Sequence, residues 1–185
     1  MSLLLAFLPF IVFAVADRFV GPTEALLLAA LVSFVLLLRD WFILGKAAKI
    51  LDIGTTILFT GLALYALLGG GLMGSIFAVR LAVDAGLFVI VLISILIRRP
   101  FTLQYAREQV ARELWDSSVF IRTNYVITSV WAVAFAVMAA ADAVLLYAPE
   151  VPVQVGIVAT IVALVAAIRF TGWYPEKIRQ RSAER

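Results

Sequence analysis

Apolar residues in this chain run in long blocks rather than alternating with polar ones, and six blocks approach the roughly 20 residues needed to cross about 30 Å of hydrocarbon. They extend from Leu3 to about Val20, Ala25 to Leu44, Ile53 to Leu68, Leu72 to Ile97, Asn124 to Tyr147 and Val151 to Phe170. The last carries no charge from Val151 to Ile168. The pattern predicts an all-α, polytopic protein of six transmembrane helices arranged as three hairpins. The first and third blocks are short for an untilted span, so a five-helix arrangement is the alternative. Pro9 removes a backbone donor inside the first helix and predicts a kink there. The same stretch imitates a secretory signal, with Ala14-Val15-Ala16 in a small-x-small arrangement, but no Lys or Arg precedes it. It is read as a retained span.

The segments between the blocks alternate in charge. The turns Asp17 to Pro22, Leu68 to Gly71 and Tyr147 to Glu150 hold one basic residue, Arg18. The opposite set holds Arg39, Lys46 and Lys49, then Arg98, Arg99, Arg107, Arg112 and Arg122, then Arg169, Lys177, Arg179, Arg181 and Arg185. Positive charge is retained on the cytoplasmic side, which predicts both termini inside. Trp41, Trp115, Trp173 and Tyr174 fall at the same side, where aromatic belts form. Each hairpin leaves the membrane through an aromatic-basic exit, as in Leu38-Arg39-Asp40-Trp41, Ile97-Arg98-Arg99-Pro100-Phe101 and Ile168-Arg169-Phe170-Thr171-Gly172-Trp173. Cytoplasmic helix ends in general share this pattern, so it does not establish a repeat.

The connection over about 100–118 is longer than the others. Leu103, Ala106, Val110 and Leu114 recur at helical spacing, and Arg107, Glu108, Arg112 and Glu113 occupy the other side. That spacing predicts an amphipathic helix on the inner leaflet, with Leu103, Val110, Leu114 and Trp115 against lipid. Pro100 suits its first turn, and Asp116, Ser117 or Ser118 suits the cap of the next helix. The expected organisation is one transmembrane bundle over 1–174 and a short basic tail over 175–185.

Composition agrees with a lipid solvent. Hydrophobic residues make up 64% of 185 and charged residues 15%, against about 45–50% and about 25% in soluble domains. The net charge of +3 and pI near 9.5 would be compatible with nucleic acid, yet the basic residues sit in short loops between apolar blocks, and no nucleic-acid partner is expected. Cysteine and histidine are both absent. Disulfides, thiol catalysis, the commonest metal ligand and the usual neutral-pH proton shuttle are therefore excluded, and no cofactor or metal is expected. The glycines Gly69, Gly70, Gly71 and Gly74 lack the Lys-Ser/Thr that completes a phosphate loop.

Two sets of polar residues stand inside the apolar blocks. Arg80 and Asp84 share a face of the fourth helix, with Asp84 near mid-bilayer. A bare charge there costs at least about 2.5–3.5 kcal/mol, so the two must pair, face the bundle interior or touch water. One reading is a polar site shared with Asp17, Glu24 and Asp142 from other helix ends. The other is a neutral ion pair that locks helix packing. Asn124 and Thr128 lie on one face at the start of the fifth helix and suit interhelical hydrogen bonds.

The order of these features resembles the bacterial intracellular septation protein A family of small inner-membrane proteins. The matching pieces are Leu8-Pro9, Gly61-Leu62-Ala63-Leu64-Tyr65, Arg99-Pro100-Phe101, and Asn124 followed by Trp131 and Phe135. The spacing of the apolar blocks agrees over nearly the whole chain, whereas the stretch between Trp115 and Asn124 is longer than the family's. The resemblance implies a non-enzymatic role in cell-envelope synthesis, septation or division at the bacterial inner membrane, through protein partners, with no catalytic residue carried over. Lipid bilayer, membrane proteins of that machinery and a second copy of the chain are the expected partners. A small transporter or channel for a proton, ion or polar solute, using Arg80 and Asp84, is the alternative. A lipid-directed enzyme ranks third, with Asp17, Asp84 or Asp142 as its only acids or bases.

Overall fold

A computed structural model describes residues 3–69 and 75–183. Every regular element among them is helical: α1 Leu3–Ala6, α2 Leu8–Val20, α3 Pro22–Leu38, α4 Ile50–Leu67, α5 Ile76–Leu96, α6 Phe101–Ala106, α7 Ser118–Tyr147 and α8 Val153–Ala183. A π-helical turn, Arg39–Ile43, prolongs α3, and a single 3-10 turn, Arg112–Leu114, lies between α6 and α7. The chain forms two compact units, residues 1–90 and residues 91–185.

Among the described residues, five helical stretches are long and apolar enough to cross a membrane: Pro22–Ile43, Ile50–Leu67, Ile76–Leu96, Ser118–Tyr147 and Val153–Gln180. The first predicted span is not among them. Pro9 has no N–H to offer the carbonyl one turn back, and the helix breaks at Phe7 between α1 and α2. It restarts there, with the Phe7 carbonyl accepting from the amides of Phe10 and Ile11, both at 3.1 Å. The 13 residues of α2 extend only about 20 Å.

Hydropathy places the other helix centres well and their ends poorly. α7 begins at Ser118, six residues before the predicted Asn124, because Arg122 and Thr123 end an apolar block without ending a helix. α8 runs through Pro175 to Ala183, so the predicted division at residue 174 between bundle and tail falls inside a continuous helix. The start of the fourth block at Leu72, and the glycines Gly70, Gly71 and Gly74, lie outside the described residues.

The long connection also departs from its prediction. Instead of one amphipathic helix there are the six residues of α6, two irregular turns and the 3-10 turn. The reason is burial. Phe101, Thr102, Leu103 and Tyr105 are all buried, so α6 packs inward on α7, and the chain beyond it must turn back. Leu103 therefore belongs to the core, whereas Leu114 is exposed in the 3-10 turn.

In the unit of residues 1–90, α2 and α3 form an antiparallel hairpin across Gly21, whose φ of +98° suits a residue without Cβ. Ala25, Ala29, Ala63 and Ala66 let α3 and α4 approach closely, and Phe59 fills the centre, 5.0 Å from the Phe10 ring and 5.9 Å from Phe13. Val79 and Val83 complete this core from α5. Gly86 on α5 faces Leu58 of α4 so closely that a Cβ would overlap the leucine methyls.

In the unit of residues 91–185, Trp131 is the centre. Its ring lies 6.4 Å from Phe101 and 5.4 Å from Phe135, and its Nε1 donates to Thr171 Oγ1 of α8 at 3.0 Å. The turn into α6 is built on Arg98, whose φ of +58° is unusual for a side chain with a Cβ. Ser94 Oγ secures that turn by accepting from the Phe101 amide at 3.2 Å.

Candidate functional site

Charged side chains within the apolar helices identify the first site. Arg80 Nη2 of α5 lies 3.9 Å from Asp17 Oδ2 near the end of α2, an ion pair beyond hydrogen-bond range. Asp17 is nearly covered, with a side-chain exposure of 7%. The ion pair ties two helices that are distant in sequence. Asp84 is half-buried four residues along α5 from Arg80. Glu24 is exposed on the first turn of α3, where its charge suits the helix N-terminus. Asp142 is buried on α7 in the other unit. Of the predicted polar set, Asp17 and Arg80 form an ion pair between α2 and α5.

A second charged cluster escaped sequence reasoning. Asp40 is 1% exposed and Lys49 is 4% exposed. Arg39 donates to Asp40 Oδ1 from Nη2 at 2.9 Å and from Nε at 3.2 Å, and Lys49 Nζ stands 3.7 Å from Asp40 Oδ2. The π-helical turn positions this carboxylate. Leu44 N donates to Arg39 O at 3.1 Å, a five-residue bond that inserts one residue into the last turn of the helix. Gly45, at φ +58°, then reverses the chain, and the Lys46 amide donates back to Asp40 O at 2.9 Å. By sequence, Arg39, Lys46 and Lys49 counted only as loop charges. The available signal was the single acid among them, since an anion next to three cations invites burial as a neutralised group.

Beside this cluster in sequence, Ser33, Asp52 and Thr55 line a void of about 10 Å³ together with Pro9, close to the minimum that admits one water. Thr55 Oγ1 is buried and has no hydrogen-bond partner among the described residues.

Asn124 and Thr128 form a separate polar seam. Thr102 Oγ1 of α6 shares a 2.7 Å hydrogen bond with Thr128 Oγ1 and lies 3.0 Å from the Asn124 carbonyl. The Asn124 side chain instead donates to its own helix, from Nδ2 to Phe120 O at 2.9 Å. Two guanidinium groups lie over the Trp115 ring, Arg107 at 5.3 Å and Arg112 at 5.7 Å from its centre, and the indole N–H donates to Val110 O at 3.3 Å. Val110 and Trp115 thus brace the connection itself.

The chain matches no family model, no curated protein and no solved structure.

Proposed function

We propose that this chain is a multi-pass protein of the bacterial inner membrane that supports envelope synthesis, septation or division through protein partners rather than by catalysing a reaction. The Asp17–Arg80 pair is the observation that carries this reading. It uses the charge of α5 to hold α2 in place, which is the work of a structural tie. On this reading α1 and α2 together form a short sixth crossing, supported by the packing of α2 along α3. Both termini and the basic loops are then cytoplasmic. The exposed Trp41, stacked on Phe42 at 5.5 Å, suits the inner interface.

The second reading is a transporter or channel for a proton, ion or small polar solute. The void beside Pro9, with the buried Thr55 hydroxyl facing no partner among the described residues, is what favours it. Two measurements separate the readings. In-cell photo-crosslinking from Trp41 and Leu114 is expected to capture envelope or division proteins, and loss of the chain is expected to lengthen cells or weaken the envelope. Reconstituted vesicles that move protons or a small solute at a rate abolished by Asp84→Asn would refute the scaffold.

A further inference from the structure

The two longest helices meet along a groove that none of these polar sites uses. α7 and α8 run antiparallel, with Trp131 bonded to Thr171 near one end and Leu145 packed on Gly156 near the other. The groove between them has a volume of about 630 Å³, within the roughly 300–1,000 Å³ of small-molecule sites. Val126, Val133 and Val137 wall it from α7, and Ala159, Ala163 and Ala166 from α8. Its polar members, Tyr125 and Ser129, both lie at the N-terminal end of its α7 wall, where Ser129 Oγ donates to Tyr125 O at 2.9 Å.

Two cations stand at that same end. Arg122 is exposed and lies two turns before Ser129 on the same face of α7. Lys177 lies four turns beyond Ala163 on the groove face of α8, and the pairing of Trp131 with Thr171 sets it level with Tyr125. Its ammonium rests 4.5 Å over the Trp173 ring. From Tyr125 to Val137 the α7 wall spans about 18 Å at 1.5 Å per residue. That slightly exceeds half of a hydrocarbon core of about 30 Å, the depth of one leaflet.

A ligand for this groove needs an anion at one end and an apolar body one leaflet long. We infer that it binds one anionic phospholipid, with an acyl chain between α7 and α8 and the phosphate held by Arg122 and Lys177. A packed helix would use the apolar walls equally well, but it has no need of paired cations at one end. Charge complementarity therefore selects the lipid. The inference rests on the membrane placement and is independent of any role in division, so absence of a division phenotype would leave it standing.

The test uses the full chain in nanodiscs of equal phosphatidylglycerol and phosphatidylcholine, followed by native mass spectrometry. One retained phosphatidylglycerol per chain is expected. Ala163→Phe and Val133→Phe fill the groove from opposite walls and should abolish retention. Arg122→Gln with Lys177→Gln should keep a bound lipid but lower the preference for phosphatidylglycerol, on the order of fivefold per cation. Unchanged retention in both groove variants, an unchanged lipid ratio in the double charge variant, or a lipid-free dimer that the groove variants dissociate would each overturn the site. Phosphatidylglycerol carrying a diazirine on its acyl chain tests the unmodified protein as well. Crosslinks should concentrate in 125–137 and 159–167, and a uniform spread over the apolar surface would refute the inference.

Discussion

At the scale of single residues, the chain shows how a carboxylate survives among apolar helices. Asp40 is surrounded by cations from its own loop, and the Lys49 ammonium it faces is as covered as the carboxylate. Breaking such a buried pair typically costs about 3–5 kcal/mol, because the remaining charge keeps its desolvation penalty and loses its attraction. Asp40→Leu is therefore expected to lower the melting temperature in detergent sharply. Asp40→Leu combined with Lys49→Met should recover much of the loss, since both penalties disappear together and Arg39 can extend to solvent. A double variant that melts below the single variant would show that the cluster is held by something other than pairing. This cluster is illegible in the sequence for a physical reason. Spacing rules see neighbours three and four apart on a regular helix, whereas Asp40 is placed by a five-residue bond and a left-handed glycine. Arg80 shows the complementary limit. Its neighbour Asp84 is visible from the i,i+4 rule, and Asp17 is one of three acids set near them from other helix ends. Which of these Arg80 meets is not visible, because nothing in the sequence says which helix α5 will face.

At the scale of elements, packing depends on small residues and on hydroxyl bridges. The hydrogen bond between Thr102 and Thr128 joins α6 to α7 in a dry setting. Thr102→Val and Thr128→Val, measured singly and together, should show a coupling on the order of 0.6 kcal/mol, the average for hydrogen bonds between membrane helices. A coupling indistinguishable from zero would mean that the pair contributes shape alone. Gly86 offers a second test, because a branched side chain at that position must displace the Leu58 side chain of α4. Gly86→Val is expected to cost about 1–3 kcal/mol as overpacking, whereas Gly61→Val, at a position with no neighbour within 4 Å of an added Cβ, should cost far less. Equal melting temperatures for the two variants would contradict the close approach. Helix centres are legible in the sequence because apolar length reports the solvent that a segment prefers. Helix ends are not, since α7 and α8 continue into polar residues where backbone hydrogen bonding, not hydropathy, decides. The amphipathic spacing of 103–114 misleads for a related reason. Leu103 satisfies its apolar preference against α7 rather than against lipid.

For the molecule as a whole, the six-crossing arrangement can be tested directly because the chain contains no cysteine. Single cysteines at Gly69 and Arg107 should react with an impermeant reagent from opposite sides of the membrane, with Arg107 on the cytoplasmic side. A third cysteine at Leu3, at the start of α1, should share the accessibility of Arg107 if the α1–α2 stretch crosses. Reaction of Leu3→Cys from the same side as Gly69→Cys would leave five crossings and place the two chain ends on opposite sides. The resemblance to septation proteins motivates the assay in cells, and the labelling result stands apart from it.

The π-helical turn at Arg39–Ile43 has one residue more than an α-helix needs over the same length. A one-residue deletion there would therefore have an effect that no substitution can imitate. Removing Phe42, which is exposed, would let the turn relax to ordinary α-helical bonding, with the Leu44 amide still on the Arg39 carbonyl but one residue nearer in sequence. Ile43 and Leu44 would keep their faces, while the wide turn that positions the Asp40 carboxylate for Lys49 would close. The expected outcome is a stability loss comparable to that of Asp40→Leu, whereas Phe42→Ala should be nearly silent. The extra residue acts as a width setting. It holds the last turn of one helix open, and through it decides whether an acid meets its base.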